Sequence, residues 1–311
     1  MKSGLAALVH PRSVPEFLVA YANHEPFVVH DHHAHTAPLT SLPFLASLDV
    51  LLRSWPGSVQ AHLPDVRDEA SSIEATAGDA RKLYDNGIGL LFNDAHLVSP
   101  LLSDWLELLR RDLGLPALTF GRCLIYATPD GGGTAAHFDQ NINFVLQVHG
   151  TKKWTLAPNR QVTHPLCRHT IGQPADPELT TYMESPMPAS MPDEARTLEL
   201  KPGSLLFVPR GYWHRTEAEG DALALNFTLT APTWLDLFGA ALRSRLALSP
   251  EWRETADGVS DPARREAAAR RLDDLLSGLV DDLPNWRASD ILDTTESDTG
   301  NVDAVPAITP G

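Results

Sequence analysis

Cysteine is scarce in this chain of 311 residues, which contains only Cys123 and Cys167. Two cysteines cannot build a disulfide framework, and such a composition is typical of a reducing compartment. Long apolar runs are also missing, so no segment predicts a transmembrane helix. A short apolar stretch near the start is interrupted by His10-Pro11-Arg12, with no small-residue cleavage pattern after it, so we expect no signal peptide. Together these absences predict a cytoplasmic protein.

Positive charge is also limited. The chain has 25 Lys and Arg residues but 40 Asp and Glu residues, which gives a formal net charge of −15. A surface this acidic repels nucleic acids and anionic membranes, and we expect neither as a partner. It permits a cationic peptide or an amine as substrate without requiring one. Hydrophobic residues make up 43% and charged residues 21%, the balance of a globular protein that can bury one large core or two modest ones.

Short apolar segments separated by glycine and proline turns occupy the middle of the chain. Residues 117–127 predict one strand, and residues 204–208 and 222–230 predict others. Residues 143–148 alternate strictly, with Asn143, Val145 and Gln147 on one face and Phe144, Leu146 and Val148 on the other. Such alternation predicts a strand whose apolar face packs on the rest of the domain and whose polar face lines a cavity. Many short strands with turns between them indicate a β-sandwich or barrel.

His137, Asp139 and His214 form the most informative motif of the sequence. Residues i and i+2 of a strand point to the same side, so His137 and Asp139 can bind one ion together. His214 follows the apolar segment at residues 204–208 and can supply a ligand from another strand. Two histidines and one carboxylate cover one face of an octahedral metal and leave other positions open, which is typical of non-haem Fe(II) oxygenases. The His-x-Asp spacing alone is common, and its weight comes from the strands around it.

From residue 117 to residue 230 the chain resembles the JmjC-type, cupin-like oxygenases that depend on Fe(II) and 2-oxoglutarate, and in particular their hydroxylase branch. The resemblance rests on the three residues above, on Pro209 and Trp213 in the segment before His214, and on polar residues at the family's offsets. These are Thr134, Asn143 and Lys152, which lie three before, six after and fifteen after His137, and Asn226, twelve after His214. Residues 14–29 resemble the family's lead-in helix and strand more weakly.

The resemblance implies a fold that is mainly β with helical additions (α+β), built as a double-stranded β-helix or jelly roll. It implies Fe(II) at His137, Asp139 and His214, with 2-oxoglutarate and O2 as co-substrates. It also implies that 2-oxoglutarate is bound by Thr134, Asn143, Lys152 and Asn226. Lys152 is preferred to Lys153 because strand parity and the family offset both select it. Polar filling of a wet barrel is an alternative role for the two asparagines.

We therefore expect a dioxygenase that hydroxylates a peptide or protein side chain, or an amino-acid-like small molecule. One alternative is a cupin-type protein that binds a metal or ligand without oxygenase activity, but such a protein does not need Thr134 and Lys152 at these offsets. A second alternative is a JmjC-type N-methyl demethylase, which uses the same iron chemistry, although the chain has no recognisable chromatin-reading module. Fold alone does not choose the substrate.

The sequence divides into four regions. They are a lead-in region at residues 1–116, a core at 117–231, a helical region at 232–288 and a polar, acidic tail at 289–311. In the lead-in region we expect helices at residues 13–22, 42–53 and 97–113. We expect the tail to be disordered. Within the core, residues 158–195 contain seven prolines and no sustained period. We expect an unstructured insertion there, which serves as a lid or is a plain surface loop.

The C-terminal helical region predicts an assembly. Helices expected at residues 233–247 and 261–282 carry more leucine than a short appendage needs to cover itself. In related JmjC hydroxylases, helices that follow the core often pair two protomers, so the resemblance implies a homodimer formed through this region. The alternative is that both helices cover the core of their own protomer.

Three further clusters contain possible metal ligands or consecutive glycines. Residues 30–35 hold four histidines and one aspartate, but we expect a solvated turn after a strand at residues 26–29. Residues 164–169 hold two histidines and a cysteine without a fourth partner at zinc spacing, so we expect a loop. Residues 131–133 are glycines that lack the Lys-Ser/Thr of a phosphate loop, and we expect them to let the backbone turn closely beside the metal site.

Overall fold

The structure is a computed structural model, and it describes residues 4–30, 33–62 and 71–297. The chain divides into two compact units. The first contains Met1–Leu115 and Phe120–Thr230, and the second contains Pro116–Thr119 and Ala231–Gly311. The N-terminal region thus belongs to the same unit as the strands of the core. None of the helices in the described ranges combines the length and the apolar character that a membrane span requires.

The strands of the first unit form one hydrogen-bonded network. They are β1 (Phe27–Val29), β2 (Val59–His62), β3 (Ser72–Ala75), β4 (Leu90–Phe92), β5 (Phe120–Thr128), β6 (Gly133–Phe138), β7 (Ile142–Ala157), β8 (His169–Thr170), β9 (Arg196–Leu200), β10 (Leu205–Val208) and β11 (Trp213–Thr230). Their order is β1-β10-β7-β11-β5-β4-β2-β3, with β6 beside β11, β8 beside β6 and β9 beside β7.

β7 and β11 are the longest described strands because each runs through two sheets. Residues 142–149 of β7 pair with residues 223–229 of β11, and residues 151–157 pair with residues 213–219 after a register irregularity. The first set of pairs continues into β10 and β5, and the second set continues into β9 and β6. Two sheets that share long antiparallel strands form a double-stranded β-helix, so the predicted jelly roll is confirmed.

Gly150 marks the point at which β7 passes from one sheet to the other. Its φ of 67° lies in the left-handed region, and a Cβ there would collide with the carbonyl oxygen of Asp221. Gly220, in the matching bend of β11, also has a positive φ, but a Cβ there would meet open space.

We expect Gly220→Ala to lower the free energy of unfolding by about 1–2 kcal/mol, through backbone strain alone. Gly150→Ala should lower it further, because the collision with Asp221 adds to the same strain. Urea unfolding of both variants measures the difference. Equal losses would contradict the role that we give to Gly150.

The N-terminal helices cover one face of the first sheet. Those helices are α1 (Gly4–Val9), α2 (Val14–Ala22), α3 (His33–Thr40), α4 (Leu48–Ser54), α5 (Ala77–Asp85) and α6 (Pro100–Asp112). Phe17 of α2 and Leu109 of α6 are buried in the same core as Phe144, Leu146 and Val148 of β7. The apolar side of the alternating strand therefore packs on the rest of the unit, as predicted.

A smaller apolar cluster lies between the two sheets. Val145, Leu206 and Ala224 contribute from the first sheet, and Trp154, Leu156 and Leu200 contribute from the second. Residues 143, 145 and 147 share this side of β7, and so do residues 152, 154 and 156 beyond the bend. The interior between the sheets is therefore lined by this face of β7.

Residues 158–195 differ from the unstructured insertion that the sequence predicted. They contain β8 and a further helix, α7 (Pro177–Tyr182). Val162 and Leu179 pack on Phe138 and Trp213, which adjoin the two histidines of the motif. Met183, Met187 and Met191 pack against this cluster. Seven prolines suppress any periodic pattern here, and the packing comes from scattered apolar residues that a search for periodicity does not detect.

The second unit contains α8 (Trp234–Leu246), α9 (Arg265–Asp282) and α10 (Ala288–Ser297). α8 begins with a capping box between Thr233 and Asp236. Within the unit, Arg245 pairs with Asp282 at 2.7 Å. α10 differs from the disorder expected for residues 289–297, since residues 288–297 form a helix despite their polar, acidic composition. Residues 298–311 of the expected tail lie outside the described residues.

Candidate metal centre

Strand pairing brings His137 and His214 together. His137 lies in β6 and His214 in β11, and the two are direct partners in the antiparallel register. The Nε2 atoms of His137 and His214 lie 3.8 Å and 3.5 Å from Oδ2 of Asp139, which follows β6. One ligand atom of each residue lies within 4.8 Å of the others. Among the described residues, this is the one group of three or more His, Cys, Asp or Glu with such geometry.

Backbone carbonyl groups fix the orientation of both imidazole rings. Nδ1 of His137 lies 2.7 Å from the carbonyl oxygen of Ala135, and Nδ1 of His214 lies 2.9 Å from that of Tyr212. A carbonyl oxygen can only accept, so each Nδ1 carries the proton and donates it. The lone pair of each Nε2 is then available on the side of Asp139, which is the arrangement found in metal-binding histidines.

Burial makes this arrangement costly unless a cation is present. His137 and His214 are each only 4% exposed. Burial, with a further contribution from His137, lowers the pKa of His214 from 6.5 to about 4, so its ring is neutral at neutral pH. Burial would raise the pKa of Asp139, but positive charge on the two histidines, where they are protonated, and on Arg168 lowers that pKa below its usual value. Lone pairs and an anionic oxygen therefore face one another, and a divalent cation fits this donor set.

Asn143 and Asn226 extend the site along the interior face. The amide nitrogen of Asn143 lies 3.5 Å from Oδ2 of Asp139, and its oxygen accepts a hydrogen bond from Thr228 at 2.7 Å and a longer one from Asn226 at 3.3 Å. The buried amide oxygen of Asn226 makes no hydrogen bond to the described residues. A buried acceptor of this kind is usually satisfied by water or by a bound molecule.

Lys152 is buried, although lysine side chains are normally exposed. It is 4% exposed, its Nζ donates to Oγ1 of Thr128 at 3.0 Å, and the same atom lies 5.7 Å from the ring centroid of Tyr126. Lys153 is exposed and pairs with Glu219 at 3.0 Å. Of the two lysines, Lys152 is thus the buried one, on the side of β7 that strand parity selected. An ammonium group beside a hydroxyl in a buried space can bind a carboxylate.

Thr134 lies near the start of β6, opposite Thr216 of β11. Its hydroxyl lies 3.0 Å from that of Thr216, and its backbone nitrogen donates to the same Thr216 oxygen. Sequence reasoning did not select Thr216, nor Tyr126, Thr128 and Thr228. Strand parity could have identified Tyr126, Thr128 and Thr228. Tyr126 and Thr128 lie two residues apart on β5 and share a face, and Thr228 shares a face of β11 with Asn226.

Arg168 was also missed, and no local pattern identifies it. Its Nε lies 3.8 Å from Oδ1 of Asp139, whereas the two histidines face the other carboxylate oxygen, Oδ2. Arg168 comes from the insertion, in a segment that the sequence predicted to be a loop. Its position depends on the pairing of β8 with β6, which joins residues far apart in the chain.

The other clusters do not form comparable sites among the described residues. In the first cluster, Asp31 and His32 lie outside the described residues. A solvated turn was expected at residues 30–35, but α3 already begins at His33. The ring of His35 stacks on that of His10, with 3.7 Å between the ring centroids. In the second cluster, the ring of His164 contacts His24, and His169 belongs to β8. At Gly133 a Cβ would collide with the backbone of Thr216, so this glycine allows the two strands to approach closely.

Comparison with known proteins relates this chain to a family. A model of the JmjC domain matches residues 115–237. The uncharacterized protein YxbC of Bacillus subtilis (strain 168) is 31% identical over 288 residues, which covers 91% of this chain and 87% of YxbC. Ribosomal oxygenase 1 of Gallus gallus is 26% identical over 310 residues, covering 91% of this chain but only 48% of that protein. The chain therefore spans about half the length of that relative.

A solved structure shows the same fold. YcfD, a ribosomal oxygenase from Escherichia coli in complex with cobalt and 2-oxoglutarate, superposes with a TM-score of 0.50 at 16% identity. The match covers 86% of this chain and 67% of YcfD. At that identity the likeness concerns the fold alone.

Proposed function

The chain belongs to the JmjC-domain family, and on that premise we propose that it is an Fe(II)- and 2-oxoglutarate-dependent oxygenase that hydroxylates a side chain of a protein or peptide. The observation that carries this proposal is the group of two buried histidines, His137 and His214, and the partly buried Asp139, whose facing donor atoms lie 3.5 Å and 3.8 Å apart. Two imidazole nitrogens and one carboxylate oxygen bind Fe(II) well and leave coordination positions open for other molecules.

Lys152 is the residue that we assign to the distal carboxylate of 2-oxoglutarate. Its burial and its hydrogen bond to Thr128 support this role, because they fix a positive charge in the interior between the sheets. Asn143 and Asn226 lie at the Asp139 end of the same interior, where the open amide oxygen of Asn226 can accept a hydrogen bond. Thr134, paired with Thr216, is assigned to the same ligand by its position on β6.

Each group has a separate task in this mechanism. Bound Fe(II) supplies the redox chemistry by which O2 and 2-oxoglutarate yield succinate and CO2 while one oxygen atom enters a substrate C–H bond. The backbone carbonyls of Ala135 and Tyr212 hold the histidine rings, so the metal-binding atoms need no rearrangement. Lys152 orients the co-substrate through its far end. Trp154, which stacks on His214, and the apolar cluster around it exclude water from the interior.

A basic segment of a ribosomal protein is the substrate that we propose. Two proteins that resemble this chain, one from Gallus gallus and one from Escherichia coli, are named ribosomal oxygenases. The net charge of −15 favours a cationic protein segment over the RNA with which it assembles, so the reaction would precede ribosome assembly. Both cysteines are free, which supports the cytoplasmic location that we propose with this substrate.

Spectroscopy and product analysis test the proposed function together. Adding 2-oxoglutarate to the Fe(II)-loaded protein without oxygen should produce a weak visible charge-transfer band. With O2 the same protein should release succinate, and a ribosomal protein incubated with it should gain the mass of one oxygen atom. Tight metal binding without the band or succinate would instead indicate a cupin that only holds a metal. Formaldehyde release with loss of a substrate methyl group would indicate a demethylase.

We further propose that the second unit pairs two copies of the chain. α9 exposes Leu272, Leu276 and Val280 at a spacing of four residues, which places them on one helix face. α8 exposes Trp234 and Leu235. Exposed apolar patches of this kind usually mark an interaction surface.

Leu276→Glu should convert this dimer to a monomer, because a carboxylate would be buried without a partner at the interface. Ala267→Glu, on another face of α9, should leave the dimer intact. Light scattering coupled to size-exclusion chromatography measures both masses over a range of concentrations. A native chain that stays monomeric at every concentration would remove the dimer proposal.

A further inference from the structure

The two oxygens of Asp139 have different neighbours. Oδ2 faces the Nε2 atoms of both histidines and lies 3.5 Å from the amide nitrogen of Asn143. Oδ1 faces Nε of Arg168 at 3.8 Å. The carboxylate therefore has one side directed to the metal-binding atoms and the other directed to a guanidinium group.

Strand register explains why Arg168 reaches this position. β8 pairs with β6 so that His137 lies opposite Thr170 and Phe138 lies opposite His169. Asp139 follows β6 and Arg168 precedes β8, so extending this antiparallel register by one step beyond the paired residues places the two side by side, in agreement with their 3.8 Å contact. Opposite charges at directly facing positions attract each other, and the guanidinium group is a good partner for a carboxylate. The contact is thus built into the way in which the insertion pairs with the ligand strand.

Several contacts hold the insertion against the two ligand strands. Arg210, in the segment before His214, donates through its guanidinium to the carbonyl oxygen of Pro165 at 2.6 Å. Trp213 donates its indole N–H to the side chain of Gln161 at 3.1 Å. The backbone nitrogen of Ile171 donates to the carbonyl oxygen of Ala136 at 2.8 Å. Arg168 is therefore presented by a segment that is fixed on both sides of the site.

We propose that Arg168 is a positioning residue for the carboxylate ligand. By holding Oδ1, it keeps Asp139 turned so that Oδ2 alone is presented to the metal, and it makes the insertion at residues 158–195 part of the metal centre. A carboxylate that bound through both oxygens would take up an additional coordination position, which the co-substrates need. This inference rests on the proposed metal site, and it adds a residue that lies outside the set of direct ligands.

Metal affinity distinguishes positioning from the two other roles that Arg168 could have. If Arg168 acted only through its charge, its removal would strengthen cation binding, because it repels the metal. If it served only the packing of the insertion, its removal would lower the melting temperature and leave the dissociation constant unchanged. A positioning role predicts weaker metal binding by roughly 10- to 100-fold, the usual effect of removing a residue that orients a ligand.

The experiment titrates Co(II) into metal-free protein by calorimetry, without 2-oxoglutarate, and records the melting temperature of each variant. Arg168→Gln removes the charge and the contact, and Arg168→Met retains the packing of the stem if the first variant folds poorly. Arg160→Gln is the matched control, since Arg160 lies in the same insertion and pairs with Glu194 at an exposed position. We expect weaker Co(II) binding for both Arg168 variants and native binding for Arg160→Gln.

Unchanged or tighter Co(II) binding by both Arg168 variants would overturn the proposal, whatever their melting temperatures. Failure of the proposed metal site gives a different result, because the native protein itself would then bind no Co(II). Failure of the oxygenase activity alone would leave native Co(II) binding intact and would appear as a missing charge-transfer band and missing succinate. The Co(II) visible spectrum supplies a second readout. A change in coordination number should accompany the loss of affinity in the Arg168 variants and should be absent from Arg160→Gln.

Discussion

His214→Ala should abolish both Fe(II) retention and succinate production while leaving the fold intact. His214 is one of three donors in a buried group, its Nδ1 is committed to the carbonyl oxygen of Tyr212, and its Nε2 faces Asp139. Removing it leaves two ligands and a space where the third nitrogen stood. His137→Ala should have the same effect, because the site is close to symmetric in the two rings. Metal content after desalting and succinate release are the two measurements.

Two further variants test whether the loss of metal and turnover is specific to the two histidine ligands. Asp139→Ala should be milder for metal retention, since two histidines still hold a metal weakly. His149→Ala removes an exposed histidine at the end of the first sheet, whose Nε2 lies 2.7 Å from the carbonyl oxygen of Leu45, and should retain metal and turnover. Near-normal turnover in either ligand variant, His137→Ala or His214→Ala, would show that the metal site is wrongly assigned.

Lys152→Ala should raise the KM for 2-oxoglutarate strongly, with a smaller change in kcat. The substitution leaves a carboxylate of the co-substrate without its charged partner in a buried space, which costs roughly 1.5–3 kcal/mol. That energy corresponds to a weakening of about 10- to 150-fold. Anaerobic titration of the charge-transfer band with 2-oxoglutarate measures binding directly, so the effect on affinity is separated from the effect on turnover.

Lys153→Ala is the matched control for this experiment. It removes the same type of side chain one position later on β7, where the ammonium group is exposed and pairs with Glu219. A surface ion pair of this kind contributes little, so both KM and stability should stay close to the native values. A large effect in Lys153→Ala together with a small one in Lys152→Ala would exclude the proposed pocket.

Strand parity is the reason that much of the fold and the candidate site could be predicted. Residues two apart on a strand share a side whatever the rest of the chain does, so His137 and Asp139 could be placed together and Lys152 separated from Lys153. The alternation of residues 143–148 identified the core-facing side of β7 in the same way. Glycine and proline turns then delimited the strands, which is enough to indicate a jelly roll.

The features that sequence reasoning missed depend on pairing between distant segments. β2, β3 and β4 have only three or four residues each, too few for alternation to appear, and they belong to the sheet through their hydrogen bonds to β5 and to one another. The contact between Arg168 and Asp139 depends on the pairing of β8 with β6. β8 has only two residues, and its partner strand is distant in the sequence. α10 was assigned to disorder because its composition is polar and acidic, although it contains two adjacent apolar residues.

We expect β7 to tolerate little change in length. It contributes alternate residues to the main core and to the interior between the sheets, so inserting one residue before the bend at Gly150 would exchange the two sets. Asn143 would then point into the apolar core while Phe144 occupied the polar interior. Deletions and insertions compatible with activity should therefore accumulate in turns and in residues 158–195, away from the packed contacts of Arg168 and Trp213, while the length of this strand stays constant among active descendants.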